Sequence, residues 1–151
     1  MEKKQFEPNR EIVLLTCNVD DMTGEEIGFA REILMEAGAM EFYTIPVQMK
    51  KGRPGFEIRT VCRKDKAGET AALLLKHTST FGVRRQDMNA YALERTYSLV
   101  HTPGGDVRRV SADGYGVHKE KYEYDDVASY AKRAGISIQK AKEEIDSFKE
   151  Q

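Results

Sequence analysis

The chain contains no tryptophan, three histidines and only two cysteines. His77, His101 and His118 share no metal-ligand spacing, and neither cysteine stands in a CxxC or beside a histidine. Zinc ribbons and redox dithiols need thiolates or imidazoles at short fixed spacing, so both are excluded. Cys17 and Cys62 each lie in an apolar, strand-like run and read as buried thiols in a reducing compartment. No Ser-His-Asp order, nucleophile elbow or Cys-His pair stands out, so no catalytic residue is assigned. No apolar run approaches the roughly 20 residues that a membrane helix needs. The opening MEKKQFEPNRE is charged and has no apolar stretch, unlike a secretory signal, so a cytoplasmic location is expected. There is also little net charge: 24 basic residues stand against 25 acidic ones, a formal -1. Neither a nucleic acid nor an anionic membrane is therefore an expected partner, and any anion site must come from local clustering.

What is present suits one globular domain. With 151 residues, 40% apolar and 32% charged, the chain is long enough for a core and too apolar for disorder. Residues 1–10 are polar and expected to be flexible. Ile12 to Val19 is an apolar, β-branched run that predicts a buried strand. Thr23 and Glu26 form a capping box, followed by Ile27, Ala30, Leu34 and Ala37 at helical spacing, with Gly38 as a stop. Residues 41–49 alternate as a second strand, and Phe56 to Cys62 returns from a turn at 50–55. A second amphipathic helix is predicted from Lys66 to about His77, then a strand region from about Val83 to Val100, bent near Asn89. Val107 to Val110 and Tyr115 to Lys119 read as later strands, and two helices close the chain, the last capped by Ser137. The expected class is α+β: a ferredoxin-like βαββαβ core with an added β-hairpin and C-terminal helices, over residues 11–151 as one domain.

Three segments can carry chemistry. Asp20 and Asp21 adjoin where a buried strand meets a helix start. Capping accounts for Thr23 and Glu26, but one cap needs only one carboxylate. Hard cations such as Mg²⁺ or Mn²⁺ take one or two carboxylates together with phosphate oxygens. Lys50-Lys51-Gly52-Arg53-Pro54-Gly55 puts three cations on a tight turn. A solvated hairpin tip is the plainer reading. Yet the glycines permit close approach and the proline stiffens the turn, which suits a polyphosphate gripped by Arg and Lys. The GxxxxGK[ST] spacing of a Walker loop is absent. Thr78-Ser79-Thr80-Phe81-Gly82-Val83-Arg84-Arg85 offers hydroxyls and guanidinium groups around a glycine, and fits a basic helix C-cap equally well. Asp125 and Asp126 most simply cap the helix after Tyr124.

Taken together, N-V-D-D-M-T-G-E, A-G-A-M-E, P-V-Q-M-K-K-G-R-P-G, T-S-T-F-G-V-R, the G-x-V-x-x-V strand and Y-E-Y-D-D-V-A resemble the C-terminal domain of the LarC-type nickel insertion family. They run in family order from about residue 12 to 145. The M-K-K-G-R-P-G run is the most specific. The resemblance implies an oligomeric, ferredoxin-like domain that binds CTP with Mn or Mg. It also implies a place in a lyase that inserts nickel into the pyridinium-3,5-bisthiocarboxylic acid mononucleotide, with CTP hydrolysed to CMP and pyrophosphate. Carried over by motif, Asp20 and Asp21 would hold the metal. Lys50, Lys51, Arg53 and Arg84 would meet the triphosphate, and Thr78 and Thr80 would add hydroxyl contacts. The expected partners are further copies of the chain and the family's metal-rich amino-terminal half, which these motifs do not include. Where the family usually has T-T-T-L-G-V-R and P-E-Y-E-D, this chain has T-S-T-F-G-V-R and Y-E-Y-D-D.

The pairing makes physical sense, because carboxylates beside a polyphosphate repel it unless a cation lies between them. The competing reading is a non-catalytic ferredoxin-like module that binds a small anion or a protein for regulation. RNA binding on the sheet would need aromatics interleaved with cations, and no such run is present.

Overall fold

A computed structural model describes residues 6–149. Where the sequence predicts one domain over 11–151, the chain divides into two compact units: Pro8–Tyr91, and residues 92–149 with Phe6 and Glu7. Of the N-terminal segment read as flexible, residues 1–5 lie outside the described residues. Arg10 already opens the first strand, and the Asn9 amide donates to the Ala90 carbonyl at 3.1 Å.

The Pro8–Tyr91 unit contains β1 (Arg10–Val19), α1 (Gly24–Glu36), β2 (Glu41–Gln48), β3 (Pro54–Arg63), α2 (Ala67–His77) and β4 (Arg84–Ala90). Its sheet runs β2-β3-β1-β4 with every pair antiparallel. Each helix therefore joins two strands that are not neighbours, which is the split βαβ pattern expected from the element order. Alternation along β1 sends Val13, Leu15, Cys17 and Val19 to one buried face. There they meet Ile58 and Cys62 of β3, Ile27 and Leu34 of α1, and Ala67 and Leu74 of α2. The capping box forms as predicted: the Glu26 amide donates to Thr23 Oγ1 at 3.2 Å and the Thr23 amide to Glu26 Oε2 at 2.8 Å. This cap fixes where α1 starts, and so confines residues 20–22 to a short bend between strand and helix.

The other unit is a three-stranded antiparallel sheet, β5 (Glu94–Thr102), β6 (Gly105–Gly114) and β7 (Val117–Tyr122), followed by α3 (Tyr124–Ala134) and α4 (Ile138–Asp146). Val100 and Val107 pack against Val127, Ala131, Ala141 and Ile145 in a second core. The region read as one strand bent near Asn89 is thus two strands in different sheets, and the added hairpin is a full sheet with its own core. The role of Asp125 and Asp126 as caps also changes. The cap of α3 is Glu123 without a side-chain bond, and Asp126 instead accepts from the Arg108 amide at 2.8 Å and from its guanidinium at 2.9 and 3.0 Å. Two bonds from a planar guanidinium and one from the backbone outweigh a single cap bond.

Candidate functional site

Strand register brings the three chemistry-bearing segments to one end of the four-stranded sheet. Val19 pairs with Phe56 and Thr16 with Arg84, so the end of β1 lies between the starts of β3 and β4. The β2–β3 connection closes over β1 because residue 55 is glycine. A Cβ there would stand 2.5 Å from the Val19 carbonyl oxygen and 2.6 Å from Met49 Sδ. The connection turns sharply through Lys51 (φ 60, ψ 25) and Gly52 (φ 70), and the Met49 amide donates to the Arg53 carbonyl at 2.7 Å.

This geometry links the acidic bend to both cationic segments. Arg53 Nη1 lies 3.6 Å from Asp20 Oδ2, with the Asp20 side chain mostly covered and that of Arg53 59% exposed. Arg84 Nη2 donates to Asn18 Oδ1 at 2.5 Å. The Ser79 hydroxyl donates to Asp21 Oδ1, and its amide points at Met22 Sδ at 3.4 Å. Residues 18–21 thus hold the basic turn on one side and the α2–β4 loop on the other. Lys50 and Lys51 are exposed, and among the described residues neither has an ion-pair partner.

The threonines are placed differently from Lys50 and Lys51. Thr78 Oγ1 donates to the Leu74 carbonyl at 2.7 Å and Thr80 Oγ1 to the Gly82 carbonyl at 2.9 Å, so both hydroxyl protons shape the loop. What they leave for a ligand is acceptor capacity. Burial pushes the Cys17 thiol up, while the Thr78 hydroxyl and the Arg84 charge pull it the other way. Ser79 and Asn18 are the residues that motif reasoning did not assign. Both sit inside quoted motifs, but their role as links emerges only from the register of β1 with β4.

Among the described residues no three His, Cys, Asp or Glu side chains converge as a metal cluster. Asp20 and Asp21 can therefore supply only part of a coordination shell. That donor set fits a hard divalent cation whose remaining ligands are water and phosphate oxygens, and it does not fit a metal caged by protein alone. Carboxylates flanked by Arg53, Arg84 and two unpaired lysines suit an anion and a cation bound together.

The Pro8–Tyr91 unit is an α+β fold that gathers carboxylates and cationic side chains at one end of its four-stranded sheet. The family model described as nickel insertion protein matches residues 1–142, and the chain belongs to that family. It is 30% identical over 139 residues to the pyridinium-3,5-bisthiocarboxylic acid mononucleotide nickel insertion protein of Alkaliphilus metalliredigens, covering 90% of this chain and 32% of that one. It is 32% identical over 140 residues to the protein of the same description from Akkermansia muciniphila, covering 91% and 34%. The chain thus spans about a third of the length of these relatives. A solved structure described as LarC2, the C-terminal domain of a cyclometallase involved in synthesis of the NPN cofactor of lactate racemase, superposes with a TM-score of 0.81 at 30% identity, covering 93% of this chain and 98% of that one.

Proposed function

We propose that this chain is the CTP- and divalent-metal-binding part of a nickel insertion protein, a cyclometallase that places nickel in the pyridinium-3,5-bisthiocarboxylic acid mononucleotide and hydrolyses CTP to CMP and pyrophosphate. The observation that carries this reading is the meeting of residues 18–21, the end of β1 and the acidic bend after it, with two cationic segments through the Asp20–Arg53 ion pair and the Asn18–Arg84 hydrogen bond. Asp20 and Asp21 would hold Mn²⁺ or Mg²⁺, which when bound offsets the charge of the triphosphate. Lys50, Lys51 and Arg53 stand on the turn that meets its distal phosphates, and Arg84 stands across the strand end. Nickel is the cargo of the reaction. Its ligands belong to the amino-terminal half of the protein, which is the proposed partner, together with further copies of this chain, in a cytoplasmic assembly.

The test is a nucleotide panel by thermal shift, with and without Mn²⁺. A ligand that binds only the folded state stabilises it by about 2.7 kcal/mol at a hundredfold excess over Kd. CTP should raise the melting temperature only when Mn²⁺ is present. Absence of any shift with every nucleotide and metal would leave the regulatory anion- or protein-binding module as the reading.

A further inference from the structure

The three-stranded sheet of the second unit contributes no residue to the metal–nucleotide site proposed above. Alternation along its strands gives it two faces. Val100 and Val107 turn to the face that α3 and α4 cover. The opposite face carries Arg95 and Tyr97 of β5, Val110 and Ala112 of β6, and Lys119 and Lys121 of β7. Ala112 pairs with Arg95 on one side and Lys119 on the other, and Val110 pairs in the same way with Tyr97 and Lys121. Short side chains therefore floor a trough about 10 Å across, with Arg95 and Tyr97 as one wall and Lys119 and Lys121 as the other. Elsewhere in this unit cations are matched, Arg108 by Asp126 and Lys149 by Glu120 and Asp146. The side chains of Arg95, Lys119 and Lys121 are exposed and have no hydrogen bond or ion pair among the described residues. The acids near this face, Asp106 and Glu123, lie at its other end, beside His101 and Arg108. Tyr97 is 70% exposed. An uncovered aromatic ring thus stands among three cations that lack counterions.

We propose that this trough binds the mononucleotide that receives nickel, with its pyridinium ring against Tyr97 and its anionic groups on Arg95, Lys119 and Lys121. The inference rests on the reading of this chain as part of a protein that acts on that mononucleotide, and not on the CTP site. A cationic aromatic ring is attracted to the face of a tyrosine. The two thiocarboxylates and the phosphate are anions, which Arg and Lys hold through charge-assisted bonds. One ring and three anionic groups therefore match one exposed aromatic side chain and three unpaired cations. A ligand that has the ring and the phosphate but no ring carboxylates satisfies only part of this set.

The experiment is calorimetry on this chain with three probes. They are the dicarboxylate analogue of the mononucleotide, with oxygen in place of sulfur; nicotinamide mononucleotide, whose one ring substituent is a neutral amide; and inorganic phosphate. CTP with Mn²⁺ is titrated into the same protein in parallel. The dicarboxylate analogue should bind the wild type at least about tenfold more tightly than either other probe. Tyr97→Ala should weaken it about fivefold, and Lys119→Ala combined with Lys121→Ala about tenfold. The exposure of all three side chains keeps the variants foldable, and circular dichroism checks it. Equal affinity for the three probes would overturn the proposal, and so would variants that bind the analogue as the wild type does. Wild-type protein that binds CTP with Mn²⁺ but not the analogue would overturn the sheet site while the metal–nucleotide reading stands. Binding of the analogue, weakened in the variants, without binding of CTP would uphold the sheet site and overturn that reading.

Discussion

Arg53 at the tip of the β2–β3 turn lies 3.6 Å from the Asp20 carboxylate at the end of β1, an ion pair between residues far apart in the chain. The guanidinium is more than half exposed, and pairs of this kind contribute at most about 1 kcal/mol. A ligand can therefore separate them, with a cation taking the carboxylate and a phosphate taking the guanidinium. Asp20→Asn combined with Asp21→Asn should shift the melting temperature little, because a side-chain amide at position 21 still offers an oxygen to the Ser79 hydroxyl. Metal-dependent CTP binding should be lost. Calorimetry with CTP and Mn²⁺ decides it: an unchanged affinity would remove these carboxylates from the metal site.

Gly55 holds the same end of the sheet together by having no side chain. Met49 is flexible and can swing away from an added methyl group, but the Val19 carbonyl is fixed in the β1–β3 pairing. Gly55→Ala should cost about 1–3 kcal/mol, the usual penalty for overpacking, read as a lower urea midpoint. A wild-type midpoint would show that the turn is not pressed onto β1.

His118 gives the second unit a pH dependence. Its Nδ1 lies 2.5 Å from Asp113 Oδ1 and its Nε2 3.3 Å from Glu120 Oε1. The bond to Asp113 first, and that to Glu120 second, hold the imidazole pKa above its ordinary 6.5. A raised folded-state pKa stabilises the fold fully below the unfolded value, and that gain is lost as pH rises through the folded value. Between about pH 6 and pH 8 the wild type should therefore lose more thermal stability than His118→Gln. Proton NMR should place the imidazole midpoint above 6.5. Equal pH profiles for the two proteins would rule out this contribution.

The parts of the fold that local chemistry dictates were readable in the sequence. The β-branched run of β1, the Thr23–Glu26 capping box and the cap at Ser137 all act within a few residues. Sheet membership does not. Nothing between Met88 and Glu94 says that β4 pairs with β1 while β5 pairs with β6. Asp126 looked like a cap because its true partner, Arg108, is 18 residues away. The site divides in the same manner. Its segments were visible as charge clusters, whereas the links Asn18–Arg84 and Ser79–Asp21 depend on strand register. The hydroxyls of Thr78 and Thr80, expected from the motif as ligand contacts, donate instead to the nearby Leu74 and Gly82 carbonyls, a local habit of hydroxyl residues near a helix end.

The basic turn separates a structural role from a binding one, because Lys51 sits in a left-handed conformation. Glycine adopts that conformation without strain, so Lys51→Gly removes the charge while favouring the turn. Combined with Arg53→Ala, it should change stability by less than about 0.5 kcal/mol, the ordinary range for surface changes. If the turn only tips a hairpin, ligand affinity should not move either. If it grips a triphosphate, two charge-assisted bonds are lost at about 1.5–3 kcal/mol each, which weakens CTP at least about a hundredfold. CMP lacks the distal phosphates and should lose much less. Calorimetry with both nucleotides reads the difference directly. Equal losses for CMP and CTP would mean that Lys51 and Arg53 do not face the polyphosphate, and the triphosphate would then have to lie on the Arg84 side of the strand end.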